Sequence, residues 1–386
     1  MFRQKLFLLI SKIQNKLKKQ QEHWASKLIQ DTLDLSSLKV AKKVIVFLIP
    51  HNCKICGGVM SIFSLCQTSR DVVKEAFVTL VTYPNDLTYV LNDKFYNNEK
   101  VLRFEQIVTN SKNVQEMILH IPEYYADKFY KNLNKREIEF LKRIPNLQIN
   151  IMNQNIELMP EKEKLQDLYN LTNNITQTIA HNRYATQFVC NKWGFPTHLF
   201  SVNIDLNMYK AYLFEEKEKI ITLSPDRNEY REEVIKKLKE NFPDWQILTI
   251  KNMSFKQFMD LIARSFFTIT FGEGMDGYLN QPLYVGSLGL GVYNEKFFPD
   301  HSWCDLKNIY SSYADMIENI CLDLKNFINN KELYYQTIKI QLEKLNKIYK
   351  FNNYLSNVKR FYKKEYDFVP TTKINQKGEK DDFVKI

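Results

Sequence analysis

Long apolar runs are missing from this 386-residue chain: near its start the longest, Leu6 to Ile10, has five residues, far short of the roughly 20 that cross a bilayer as a helix. No membrane span is therefore expected. Cysteine is sparse too, six residues at 53, 56, 66, 190, 304 and 321, and their spacing builds no disulfide framework for a chain of this length. Cys53 and Cys56 form a C-x-x-C pair with no second pair to complete a zinc site, so a reducing compartment is the expectation. No nucleic-acid-binding module and no internal repeat is recognisable. The net charge of +10, from 54 Lys and Arg against 44 acidic residues, thus points to nucleotide phosphates or an anionic lipid surface before nucleic acid. At 44% hydrophobic and 25% charged, the remaining composition is globular, with enough chain for two cored domains.

Glycine is the most informative scarcity. There are ten in all, and six of them, at 272, 274, 277, 286, 289 and 291, lie in one stretch, SFFTITFGEGMDGYLNQPLYVGSLGLGVYNEKFFP, from Ser265 to Pro299. Phe266 to Phe271 reads as a buried strand that ends in the loop Gly272-Glu273-Gly274-Met275-Asp276-Gly277. A helix is expected next, with Asn280 as N-cap, Pro282 in its first turn and Gly289 at its end, and then a strand from Gly291. In such a βαβ unit the loop sits at the carboxyl end of a parallel strand, where open α/β sheets bind ligands, and the helix start suits a phosphate. Glu273 and Asp276 would flank that phosphate and hold hydroxyls. A glycine-rich structural turn is the alternative reading of the same residues.

The rest of the chain alternates strands and helices, which means parallel sheets covered on both faces. Phe2, Leu6, Leu9, Ile10, Ile13 and Leu17 recur at helical spacing among Arg3, Lys5, Lys12, Lys16, Lys18 and Lys19, a basic amphipathic helix that either lies at a membrane interface or packs on the body of the protein. Lys43 to Pro50 is the first buried strand, followed by Gly57-Gly58 entering a helix. Later strands are expected at 76–83, 117–121, 145–152, 176–180 and 197–202, with His120 and His181 at two strand ends. Glu161 to Leu171 reads as a helix. A second βα series starts at Lys219 to Leu223 and runs into Ser224-Pro225-Asp226-Arg227. Residues 331–362 read as helical, and the tail from 370 as polar and disordered. The expected units are an amphipathic segment 1–38, a Rossmann-like domain 39–212, a second Rossmann-like domain 213–330, helices 331–369 returning to the first domain, and the tail 370–386.

Glu273-Gly274 with its glycine loop and helix resembles the donor-binding motif of GT-B glycosyltransferases, especially the large retaining group called family 4, whose pattern is Glu, seven residues, Glu. Here the second position is Gln281, an amide where the family has a carboxylate, so the stereochemical outcome stays open. The resemblance implies that Glu273 lies near the transferred sugar and Gln281 at the ribose, within a donor site that takes in Gly272, Gly274, Met275, Asp276 and Gly277. It implies that Gly57 and Gly58 face the cleft, that Arg227, with Arg231 as a second candidate, holds the donor diphosphate, and that His120, or else His181, lies near the reacting sugar. The fold implied is α/β, two Rossmann-like domains facing a central cleft with terminal helices crossing back. The function implied is transfer of a sugar from a nucleotide-sugar to a saccharide or lipid-linked glycan in surface polysaccharide synthesis, capsule or lipopolysaccharide, at the cytoplasmic face of the membrane. No cofactor and no metal is expected, and the chain contains no Asp-x-Asp triplet, the usual metal ligand of the other glycosyltransferase fold. A nucleotide-sugar epimerase of the same fold and a catalytically idle subunit supporting a partner enzyme are the rival readings.

Overall fold

The computed structural model describes residues 31–50, 57–86, 101–201, 209–251, 253–349 and 351–371, together with Leu17. The basic amphipathic helix, the Cys53–Cys56 pair and the tail beyond 371 lie outside the described residues, apart from Leu17.

Seven strands form the first sheet: β1 (Lys43–Ile49), β2 (Phe77–Thr82), β3 (Val101–Leu102), β4 (Glu116–Pro122), β5 (Asn146–Asn153), β6 (Ile175–Ile179) and β7 (Thr197–Leu199). All pair in parallel, in the order β3-β2-β1-β4-β5-β6-β7. Five more, β8 (Glu218–Leu223), β9 (Gln246–Thr249), β10 (Ser265–Ile269), β11 (Leu288–Val292) and β12 (Ile309–Tyr310), form a second parallel sheet in the order β12-β11-β10-β8-β9.

The near-continuous apolar runs follow from burial on both faces. In β1, Val44, Val46 and Leu48 enter one core while Ile45, Phe47 and Ile49 enter the other, the period-2 alternation of a strand with helices above and below. Helices start where side-chain caps meet the first free N–H groups. Ser254 accepts from Gln257 N and Asn134 from Glu137 N, each in a reciprocal capping box.

The helix expected at Glu161 to Leu171 is present, as a 3-10 helix over Lys162–Asn170. Two other expectations are corrected. The helix in the glycine stretch spans Gly277–Tyr284, so Asn280 is inside it and Gly289 belongs to β11. The cap is Asp276, whose carboxylate accepts from the N–H groups of Tyr278 and Leu279 at 2.8 and 3.1 Å. Gly289 is needed for another reason: a Cβ there would stand 2.0 Å from the carbonyl oxygen of Leu279, so the helix packs backbone to backbone on β11.

The second concerns the C-terminal helices, which divide between the two sheets. Lys331–Ile348 stays with the second sheet, where Tyr334 is fully buried and donates to Phe266 O at 2.8 Å. Phe351–Tyr362 crosses to the first, burying Tyr354, Val358 and Phe361 against the helix Gly57–Val72 and β1. The chain then locks onto β7, since Phe368 and Thr197 exchange backbone hydrogen bonds of 2.8 and 3.0 Å.

Candidate functional site

In each sheet one pair of neighbouring strands marks where the winding reverses, and ligands of open α/β sheets bind outside the carboxyl ends of such a pair. In the second sheet the pair is β8 and β10. Their ends carry Ser224 to Arg227 and Thr270 to Asp276. In the first sheet the pair is β1 and β4, and β4 ends at Pro122-Glu123.

The loop after β10 is tightly built. Thr270 donates to Asp276 Oδ2 at 2.5 Å and its hydroxyl accepts from Gly272 N at 3.2 Å. Gly274 has φ of +83°, and a Cβ there would lie 2.5 Å from Val292 O, so the residue must be glycine for both conformation and room. Asp226, from the end of β8, lies over Gly272, its Oδ2 at 3.0 Å from where a Cβ would be. Met275 is buried beneath the loop.

Glu273 leaves this loop toward the first domain and accepts from Asn155 Nδ2 at 2.9 Å. Asn155 follows β5, and its own N–H donates to Glu123 Oε1 at 3.2 Å. One asparagine thus joins two carboxyl groups, one from each domain. The surrounding contacts keep the domains together: Tyr184 donates to Lys296 O at 2.6 Å, and Lys296 pairs with Glu157 at 2.5 Å. Glu123 is 2% exposed, and its Oε2 has no hydrogen-bond partner among the described residues. The Asn153 amide is buried at the end of β5 with neither polar atom partnered among the described residues.

Burial of so many acids together disfavours their charged forms. It pushes Glu123 up to about 7, with backbone hydrogen bonds opposing and the Glu273 charge adding to the rise. Burial likewise raises Asp276 to about 7, and Glu273 is raised by burial first and then by the Asp226 and Glu157 charges. Among the described residues no group of three or more His, Cys, Asp or Glu is arranged to hold a metal ion.

Not all the expected site residues meet here. His181 does: it sits just past β6, its Nδ1 is buried without a partner among the described residues, its ring lies 5.8 Å from that of Phe297 in the second domain, and burial lowers it to about 4. His120 does not. It is fully buried inside the first sheet, stacked 4.2 Å from the Phe47 ring, with Asn150 Nδ2 at 3.0 Å from Nδ1 and the Tyr362 hydroxyl at 3.2 Å from Nε2. The residue just past the strand, Glu123, is the one tied through Asn155 to the loop after β10.

The two arginines also separate. Arg227 is exposed beside Asp226 and makes no ion pair with a described residue. Arg231 is anchored, donating to Thr249 at 2.8 Å and Glu232 at 3.2 Å with its guanidinium 5.6 Å from the Phe271 ring centre. Gly57 begins the helix Gly57–Val72 with no described residue within 4 Å of a would-be Cβ, whereas Gly58 lies under Gln154, which donates to its carbonyl at 3.1 Å. The Gln281 amide folds back over Gly277, 3.1 Å from a Cβ position there. Because Asp276 occupies the N–H groups of Tyr278 and Leu279, the start of this helix is capped by the protein itself, a correction to the expectation of a phosphate there.

Glu123, Asn155 and Asp226 were not singled out from sequence as site residues. Glu123 had a signal, a carboxylate directly after a buried strand, and Asp226 a similar one three residues past the end of β8. Asn155 had none, because its role depends on a contact 118 positions away.

No protein-family model matches the chain, and no curated protein matches it in sequence. Solved structures do match in fold. A sucrose-phosphate synthase from Thermosynechococcus elongatus is similar over 83% of this chain and 98% of its own, with a TM-score of 0.51 at 8% identity. HepE from Anabaena, solved in complex with UDP and glucose, covers the same shares with a TM-score of 0.51 at 9% identity. The chain has the GT-B fold, two Rossmann-like domains facing a cleft. No helix among the described residues is long and apolar enough to cross a membrane.

Proposed function

We propose that this protein is a glycosyltransferase that uses a nucleotide-sugar donor. The observation that carries the reading is the meeting, at the reversal point of the second sheet, of an exposed arginine with no ion-pair partner among the described residues, Arg227, with the tightly turned Gly272–Asp276 loop, across from the polar ends of β4, β5 and β6. The UDP and glucose in HepE, a protein of the same fold, support a nucleotide donor.

In this reading Arg227 meets the diphosphate, where negative charge grows as the glycosidic bond breaks, and such fixed charge favours the transition state over the ground state. Glu273 stands at the sugar and Gln281 at the ribose, with Gly57 open on the opposite wall. The acceptor is a saccharide or lipid-linked glycan of a surface polysaccharide. The net charge of +10 and the basic N-terminal sequence support contact with the inner face of the cytoplasmic membrane. The donor is a co-substrate, and the reading calls for no cofactor, nucleic acid or metal.

A second reading, a nucleotide-sugar epimerase, is favoured by one observation: Asn155 brings Glu123 and Glu273, one carboxyl group from each domain, together, and paired acids could act on a sugar ring. A thermal-shift screen against UDP-, GDP-, dTDP- and CMP-sugars, followed by product analysis with Glu273→Gln, separates the readings. Transferase predicts a stabilising donor whose breakdown falls by a decade or more in the variant. Epimerised donor formed without nucleotide release would replace it with the second reading, and stabilisation by no donor would leave an idle subunit.

A further inference from the structure

We propose that Asn155 is a positioning residue for the donor site: its amide holds the Glu273 carboxylate in place from the opposite domain, so that the site is complete only while the two domains are closed. The inference rests on the transferase reading above, which puts Glu273 at the sugar, and adds a residue that the donor motif does not contain.

The second domain supplies Glu273 with no hydrogen-bond donor of its own among the described residues. Its one hydrogen-bond partner there is Asn155 Nδ2, at 2.9 Å, from the loop after β5 in the first domain. That amide has one orientation available. Asn155 Oδ1 accepts from Glu157 N at 2.9 Å, which leaves Nδ2 as the end that faces Glu273, and the Asn155 N–H is tied to Glu123 Oε1 at 3.2 Å. Both Asn155 and Glu273 are half-buried, so the pair lies at the surface of the cleft rather than in a core.

The carboxylate needs this donor. Acid groups surround it: Asp226 from the end of β8, Asp276 from its own loop, Glu123 from the end of β4, and Glu157 from the loop after β5, the last paired with Lys296. Burial and neighbouring charge favour the protonated form, and the Asn155 hydrogen bond opposes them. A carboxylate kept charged and fixed stabilises positive charge growing at the anomeric carbon, which a protonated or swinging one does not.

Other contacts hold the domains together without Asn155. Tyr184 donates to Lys296 O at 2.6 Å, Arg183 reaches Glu295 at 3.4 Å, and Met60 of the helix Gly57–Val72 packs on the cluster that contains Phe255 and Phe258. Removing the amide therefore leaves the cleft closed and takes away the donor to Glu273.

The test is a 13C-carboxyl titration of labelled glutamate in the full chain without ligand, the Glu273 signal being assigned by its loss in Glu273→Gln. Asn155→Ala removes the amide. Asn155→Asp keeps the size and the acceptor for Glu157 N while turning an oxygen toward Glu273 in place of Nδ2. The Glu273 midpoint should rise by at least about half a pH unit in Asn155→Ala and further in Asn155→Asp. A residue that merely joined the domains would act with the opposite sign, since an opened cleft hydrates Glu273 and lowers its midpoint. An unchanged or lowered midpoint in Asn155→Asp overturns the proposal, including where Asn155→Ala fails to fold. Release of nucleotide from UDP-, GDP-, dTDP- and CMP-sugars, with water as acceptor, is the second readout. Turnover should fall about tenfold in Asn155→Ala, with its acid limb moved to higher pH, while nucleotide affinity by calorimetry stays within about twofold of wild type. Wild-type turnover and an unmoved limb in Asn155→Ala overturn the proposal and leave the transferase reading intact, whereas binding of no donor by wild type overturns both. If wild type binds a donor without breaking it, the titration decides.

Discussion

Replacing Gly274 by alanine should damage both stability and site. The new Cβ would meet Val292 O at 2.5 Å and Phe298 Cε2 at 2.7 Å, with φ at +83°. Neither neighbour can yield cheaply: the oxygen is backbone of β11, and the Phe298 ring is fully buried among Trp303 and Tyr293. The left-handed backbone costs an alanine about 1 kcal/mol or somewhat more. Overpacking a closed site adds roughly 1–3 kcal/mol. Together these give roughly 2–4 kcal/mol, a fall in melting temperature of roughly 5–15 °C for a domain of this size. Relief requires the loop to move, which would carry Glu273 away from Asn155. Differential scanning calorimetry of Gly274→Ala beside Gly57→Ala is the assay. Gly57 has no described residue within 4 Å of its would-be Cβ, and Gly57→Ala should melt within a degree or two of wild type. If Gly274→Ala melted with wild type as well, the described loop geometry would be wrong.

Glu123 gives a pH prediction. The unfolded chain releases this proton near the ordinary 4.5 while the folded chain keeps it to about 7, so wild type loses stability as pH rises through that window. Glu123→Gln has no proton to release and should gain up to roughly 3 kcal/mol over wild type at pH 8 and nothing at pH 4, read as melting temperatures at both. Tyr362→Phe leaves His120 Nε2 buried without its 3.2 Å partner, and should cost about 1–2 kcal/mol in urea unfolding with no change in nucleotide affinity. Arg231→Ala should lower stability by about 1–2 kcal/mol through its lost bond to Thr249, the reverse of Arg227→Ala, which should leave unfolding unchanged.

Much of the fold was legible because its signals are local. Buried strands such as KVIVFLI, glycines where chains turn, and caps such as Ser254 all follow from residues within a few positions of one another. Strand alternation gave the parallel sheets, and the glycine stretch led to the donor-side loop. What was not legible depends on distant partners. His120 looks like the end of a strand by sequence, yet it pairs with Phe47 on one side and Asn150 on the other, and the crossing helix brings Tyr362 over it. Asp276 looked like a ligand group, and becomes a cap because the loop folds it onto the two N–H groups that follow. The division of the C-terminal helices was hidden for a similar reason: 331–348 and 351–362 both read as helical, and the core that each one meets is not written in its own residues.

The measurement that bears most directly on the central reading is calorimetric titration of UDP, GDP, dTDP and CMP into wild type and Arg227→Ala. The account predicts that one nucleotide binds wild type at a single site and that Arg227→Ala weakens it by about one to two decades, the loss of a charge-assisted contact worth roughly 1.5–3 kcal/mol. Binding of no nucleotide to wild type, or equal affinity in the two proteins, would contradict it.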